Sequence, residues 1–164
     1  MRLSRTAIQP EPPQSLGAPQ PPLELPYDDT QPLIALPDPH TAQPSDASLL
    51  DLIEQRSSVR RYTPQPLSLA ELSYLLWCTQ GVKRVIPNAV TLRNVPSAGA
   101  RNAFETFLLI NNVEGLEPGL YKYVALNHAL IKLNLGENLA AEFSLACDDQ
   151  DQVKDGIFKR TRKQ

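Results

Sequence analysis

The sequence predicts an α+β fold, with helices packed on a short antiparallel sheet. Three observations carry that prediction. Apolar residues at helical spacing occur in two stretches before residue 81 and again from Leu139. Between them lie apolar and aromatic runs at 104–111, 120–124 and 130–133. The links between those runs are too short for parallel crossovers, so the strands are expected to form an antiparallel meander.

The elements follow in chain order. Eleven of the 16 prolines of this 164-residue chain lie between Pro10 and Pro44. Proline removes amide donors and restricts its neighbours, so residues 1–44 are expected to be a leader, extended or disordered. Its one apolar island, Leu33-Ile34-Ala35-Leu36, could dock on the core, and the residues up to about 30 are expected to be dispensable for folding. The same composition would also suit an adaptor segment.

Order is expected from Ser45, within a domain spanning 45–152. Leu49, Leu50, Leu52 and Ile53 fall on a helical pattern behind Ser48. Ser68-Leu69-Ala70-Glu71 is a capping box, opening a helix with Leu69, Leu72, Leu75 and Leu76 inward and Gly81 as its stop. Residues 82–95 read as a loop with a turn at Pro87-Asn88. Phe104–Asn111 and Leu120–Val124 read as strands around the Gly/Pro turn 114–119, and Leu130–Leu133 as a third. Leu139, Phe143 and Ala146 mark one face of a last helix.

Composition excludes several classes. Sixteen Lys+Arg against 18 Asp+Glu leave a formal charge of −2, unlike a dedicated nucleic-acid binder. No apolar run reaches the roughly 18 residues of a membrane span, and the N-terminus lacks the apolar core of a secretory signal. Cys78 and Cys147 are expected to be small buried hydrophobes in a reducing cytoplasm. With only His40 and His128 beside them, no metal-ligand spacing arises.

Two clusters could carry chemistry. Arg56-Ser57-Ser58-Val59-Arg60-Arg61 places guanidiniums and hydroxyls at a helix end, donors that match phosphate oxygens. The alternative is a basic helix C-terminus satisfying its own dipole. Val95-Pro96-Ser97-Ala98-Gly99-Ala100-Arg101 is a small-residue loop whose backbone a flat ligand could approach closely; the alternative is an ordinary tight loop. It lacks the lysine and second glycine of a P-loop, and it is not a nucleophile elbow. Neither paired carboxylates nor an activated nucleophile stands out, so no catalytic side chain is assigned. Together the clusters suit a cofactor with a phosphate tail and a planar head.

The phrases Arg56-Ser57-Ser58-Val59-Arg60-Arg61-Tyr62-Thr63-Pro64, Pro66-Leu67-Ser68-Leu69-Ala70-Glu71-Leu72 and Leu75-Leu76-Trp77-Cys78-Thr79-Gln80-Gly81 resemble the opening of the nitroreductase superfamily. Pro96–Arg101, Val113–Tyr121 and Pro32–Pro37 resemble its SagB-type dehydrogenase branch, and the likeness runs from about residue 32 to 152. The resemblance implies a partial nitroreductase-like fold, an intertwined homodimer and FMN-dependent oxidoreduction, with hydride passing through flavin N5. NAD(P)H or an azoline ring in a modified peptide would be the donor; neither nucleic acid nor membrane is an expected partner. By the same resemblance, Arg56 and Ser58 would meet the FMN phosphate and ribityl chain, with Ser57 close to the phosphate and Arg60 at the flavin's polar edge. Pro96, Ser97, Ala98 and Gly99 would pack on the ring from the partner subunit, and Arg101 would lie near the ribityl hydroxyls. Where the family has an aromatic and a proline next, this chain has Asn102-Ala103. The family domain also continues well past residue 152, so a truncated product is expected. The alternative function is a non-catalytic remnant that binds flavin weakly or acts only as a pairing subunit.

The basic ending, residues 153–164, carries five Lys/Arg but follows the acidic Asp148-Asp149-Gln150-Asp151. It is expected to add only weak, salt-sensitive attraction to polyanions. Gel shifts at physiological salt should show no sequence-selective complex; a selective one would refute the assignment.

Overall fold

The computed structural model of the chain describes residues 11, 15–19, 21–42, 46–58, 63–87, 89–133 and 139–147. In order these form β1 (Ile34–Ala35), a 3-10 turn at Pro39–Thr41, α1 (Leu49–Gln55), α2 (Leu69–Gln80), β2 (Val82–Ile86), β3 (Val90–Arg93), a short 3-10 turn at Ala98–Ala100, β4 (Phe107–Ile110), β5 (Gly119–Val124), β6 (Ala129–Leu133) and α3 (Leu139–Ala146). The predicted meander is present. β4, β5 and β6 pair antiparallel, and β1 adds to the outer edge of β6, giving the order β1-β6-β5-β4.

The capping box at the start of α2 is fully made. Ser68 Oγ accepts from the Glu71 amide at 3.2 Å, and Glu71 Oε2 accepts from the Ser68 amide at 3.0 Å. Leu72 and Leu76 then point from α2 into a core completed by Leu108 and Ile110 of β4, Tyr121 and Tyr123 of β5, and Leu130 of β6. Alternation puts Leu109, Leu120, Lys122, Val124 and Ile131 on the opposite face of the sheet, and they are buried as well.

That second face is where the leader departs from expectation. Among the described residues regular structure begins at Ile34, before Ser45, and anchored chain begins earlier still. The Ala125 amide donates to Glu24 Oε1 at 2.6 Å, and the Leu25 amide to Glu105 Oε1 at 2.8 Å. Lys122 is only 3% exposed. Its ammonium donates to the Leu25 carbonyl at 2.5 Å, lies 3.6 Å from Glu105 and sits over the Tyr27 ring at 5.6 Å. A buried lysine needs such a set of partners, because an unpaired charge out of water is costly. The leader near residue 25 is thus part of the packing, contrary to the expectation that everything up to about 30 is dispensable.

A second junction joins leader, helix and sheet. Ser73 Oγ donates to the Pro37 carbonyl at 2.5 Å and lies 2.7 Å from His128 Nε2. His128 Nδ1 lies 2.7 Å from the Tyr123 hydroxyl. Since the Ser73 proton is spent on Pro37, His128 Nε2 carries the hydrogen, and Nδ1 accepts from Tyr123. Trp77 packs edge-to-face against His40 and His128, at 5.8 and 6.0 Å between ring centres.

Two further expectations need correction. Residues 82–95 are not a loop: β2 and β3 form a hairpin across the turn near Pro87, with a register irregularity between Val82 and Arg84. Lys83 through Ile86 are all exposed, so the strand carries no buried alternation to betray it. Cys78 and Cys147 are exposed: Cys78 is on the outer side of α2, away from Leu72 and Leu76, and Cys147 lies just past α3. Gly81 stops α2 without a left-handed turn, at φ −55° and ψ 134°. It is needed for another reason, because a Cβ there would collide with the Trp77 ring and carbonyl.

Two outcomes are expected. A chain starting at Pro21 should melt with the full-length protein, whereas one starting at Gln31 should melt more than about 5 °C lower, having lost Glu24, Leu25 and Tyr27; equal melting of the two would refute the anchoring role. Burial holds the His128 imidazole below its usual range, with the Pro37 carbonyl and Asp38 pulling it back up. The folded state therefore prefers the neutral ring, and the unfolded chain takes the proton first. The contribution to stability is complete above ~6.5 and is lost as the pH falls through the lowered folded value. His128→Asn, which tolerates the left-handed backbone at this position (φ 47°), should flatten the melting profile over that window.

Candidate functional site

The loop between β3 and β4 collects Pro96, Ser97, Ala98, Gly99 and Arg101, five of the site residues picked out by sequence. Its backbone is unusual. Gly99, Ala100 and Asn102 have φ of 61°, 53° and 47°. A left-handed conformation costs a non-glycine residue roughly 1–2 kcal/mol, and such strain persists only where the surroundings enforce it.

Asn102 is the enforcer. Its side-chain amide donates to the Thr91 carbonyl at 2.9 Å, Thr91 Oγ1 at 3.1 Å and the Ala100 carbonyl at 3.0 Å. Its backbone amide donates to Ser97 Oγ at 2.8 Å, and the Ala100 amide to the Ser97 carbonyl at 3.0 Å. The departure from the aromatic-proline phrase is therefore an anchor: Asn102 ties the loop to β3.

Two cavities flank the loop. One, of about 370 Å³, is lined by Gln80, Pro96, Ser97, Arg101, Asn102 and Phe104 among others. The second, of about 250 Å³, lies against Thr91, Arg93, Val95, Pro96 and Ala100. A larger depression of about 570 Å³ runs along the start of α2, but its charged lining residues are Glu71 and Glu114, which suits no phosphate-bearing ligand.

Arg93 is the residue that sequence reading missed. It is only 9% exposed. Its Nε donates to Thr91 Oγ1 at 3.4 Å and its Nη1 to Gln80 Oε1 at 3.2 Å, while Nη2 has no hydrogen-bond partner among the described residues. The signal lay in β3, where Thr91 and Arg93 alternate with exposed Leu92. Nearby, burial pushes the Tyr123 hydroxyl up to about 12, against the pull of Arg93.

The other cluster stands apart. Arg56, Ser57 and Ser58 follow α1 directly and are exposed; the Arg56 amide closes the helix on the Leu52 carbonyl at 3.1 Å. Arg60 lies outside the described residues. Neither cavity beside the 96–102 loop reaches Arg56, Ser57 or Ser58.

A meander flanked by helices, with a strained small-residue loop at the edge of the sheet, defines a mixed α/β domain with a candidate ligand site. Comparison with known proteins gives the family. The Nitroreductase family model matches residues 53–160, and the chain belongs to that family. A protein of Methanocaldococcus jannaschii provisionally named a nitroreductase is 36% identical over 101 residues, covering 62% of this chain and 48% of the relative. A crystal structure provisionally described as a nitroreductase from Anabaena variabilis is 30% identical, with a TM-score of 0.50 over 64% of this chain and 21% of that one. Another from Ralstonia eutropha is 29% identical, with a TM-score of 0.48 over 65% and 45% of the two chains. The chain spans about half the length of the curated relative it matches.

Asn102→Ala is expected to remove the tether between the loop and β3 and destabilise the protein by about 1–3 kcal/mol. Urea denaturation would measure it. A change below about 0.5 kcal/mol, typical of an unremarkable surface site, would show that the loop is held by other means.

Proposed function

We propose that this chain works within an FMN-dependent oxidoreductase of the SagB-type branch of the nitroreductase family, as a homodimer. The observation that carries the reading is the 96–102 loop: small side chains, left-handed backbone and a tether to β3, bordering two cavities suited to a flat ring. Membership of the Nitroreductase family supports a flavin there.

FMN, when bound, supplies hydride acceptance and donation at its ring N5. The chain's own residues have simpler tasks. Pro96, Ser97, Ala98 and Gly99 offer close backbone approach to the ring face, and Arg101 lines the larger of the two cavities beside the loop. Arg56, Ser57 and Ser58 offer guanidinium and hydroxyl donors for the phosphate and ribityl chain, and Arg60 a guanidinium for the flavin's polar edge. NAD(P)H or a peptide azoline is the proposed hydride donor.

The separation of the two clusters supports the dimer. The loop and Arg56–Ser58 share neither cavity, so a second copy placing its loop over the first copy's arginines would complete the site. Exposed apolar surface supports the same arrangement. Leu49, Leu50, Leu52 and Ile53 of α1, together with Phe104 and Phe107, face outward among the described residues. The remnant reading draws on that same surface: a chain that only pairs would also need it covered.

Purified protein should be yellow with flavin absorbance and should sediment as a dimer. Colourless protein that takes up no FMN, yet still dimerises, would favour the pairing subunit. Arg56→Ala should weaken FMN roughly ten- to hundredfold, the worth of a charge-assisted bond. Arg61→Ala, outside the Arg-x-Ser-x-Arg pattern, should change affinity by less than about threefold. Equal losses in fluorescence-quenching titrations would show that the phosphate lies elsewhere.

A further inference from the structure

Arg93 presents a problem that its own surroundings do not solve. A guanidinium is always charged in a protein, and this one is nine-tenths buried. Its partners, Thr91 Oγ1 and Gln80 Oε1, are neutral. Among the described residues the ion pairs are Lys122 with Glu105 and Lys132 with Glu117; neither involves Arg93. One amine, Nη2, has no acceptor among the described residues. A buried charge without a counter-ion, and a buried donor without an acceptor, are both costly. Together they point to a group that arrives from outside.

The position says what kind of group. Arg93 lines the smaller cavity beside the loop, whose other walls include Val95, Pro96 and Ala100. These are short and apolar, suited to a flat face. A phosphate would ask for several donors converging on it, whereas a ring carbonyl is satisfied by one or two. Nη2 is the one nitrogen of Arg93 without an acceptor among the described residues. We infer that Arg93 binds the ligand's planar head, its Nη2 donating to a carbonyl oxygen on the edge of the flavin ring, while the phosphate is left to Arg56 and its neighbours. This rests on the flavin reading above and adds to it a ring-binding residue outside both sequence clusters.

The division of labour can be tested by comparing FMN with riboflavin, which has the same ring and no phosphate. Fluorescence-quenching titrations of both would be run on the wild type, Arg93→Gln, Arg93→Lys and Arg56→Ala, with the melting temperature of each ligand-free protein recorded. Arg93→Gln should weaken FMN and riboflavin by the same factor, about tenfold or more. Arg93→Lys, which keeps the charge, should lose less. The ligand-free melting temperature should hold or rise, since an uncompensated charge has been removed. Arg56→Ala should weaken FMN and spare riboflavin. An affinity within about threefold of wild type for Arg93→Gln would overturn the assignment. So would a loss confined to FMN, which would place the phosphate at Arg93. A melting temperature lowered by more than about 5 °C in both Arg93 variants would make the residue structural. Failure of the wild type to bind FMN would overturn the flavin reading, and the ring contact with it; binding with Arg93→Gln unaffected overturns the ring contact alone.

Discussion

The domain depends on a single buried chain of hydrogen bonds, from Tyr123 through His128 and Ser73 to the Pro37 carbonyl. Each member belongs to a different piece of the fold: β5, the β5–β6 turn, α2 and the leader. Ser73 is fully buried, so a partner lost here is not replaced by water. The proton order runs in one direction. That fixes which imidazole nitrogen bears hydrogen and leaves Ser73 with no base to activate it. A serine beside a histidine is here a fastening, not a nucleophile. Trp77 and Gly81 extend the same junction. The Trp77 ring lies against His40 and His128, and its carbonyl accepts from the Gly81 amide at 2.8 Å and the Asn94 side chain at 2.6 Å. Through Asn94 the packing of α2 reaches the end of β3, and through Arg93 and Gln80 it reaches the cavities beside the 96–102 loop.

How legible this was in the sequence depends on the range of each interaction. The capping box of α2, the turn at 114–119 and the three-stranded meander are local, and each is written in residues a few positions apart. The anchoring of the leader is not local. Glu24 meets Ala125, and Leu25 meets Glu105 and Lys122, across some eighty to a hundred residues. Proline density argues against helix there, but it says nothing about whether the chain lies on a sheet. Lys122 within Leu-Tyr-Lys-Tyr-Val reads as the solvent-facing member of an alternating strand. Only the tertiary structure shows that this face is covered and that the lysine holds the cover down.

The site divides in the same way. The small-residue phrase Pro96–Gly99 was legible because it is contiguous, and its chemistry follows from the absence of side chains. Asn102 looked like a defect in the phrase because its role is to bridge to Thr91, eleven positions back. Arg93 was hidden for a related reason. The hairpin that carries it has an exposed first strand without alternation, the alternation of β3 spans only four residues, and a lone arginine before Asn-Val-Pro reads as loop surface. What makes Arg93 informative is a property no sequence displays, a missing acceptor at Nη2.

In the proposed dimer, position along α1 would link assembly to ligand binding. The helix exposes Leu49, Leu50, Leu52 and Ile53, and the next residues in the chain are Arg56, Ser57 and Ser58. A seven-residue helix with no buried residue has little to hold it in isolation, since short helices draw most of their stability from packing. Covering its apolar side would fix the helix and, with it, the direction in which Arg56 leaves its end. In the proposed dimer, the event that buries α1 is therefore also the one that orients the phosphate donors toward a neighbouring loop. The loop is tethered by Asn102, whereas among the described residues Arg56 is held by one backbone hydrogen bond at the helix end. In that proposal the ring half of the site would be pre-formed within each chain, and the phosphate half would be set by association.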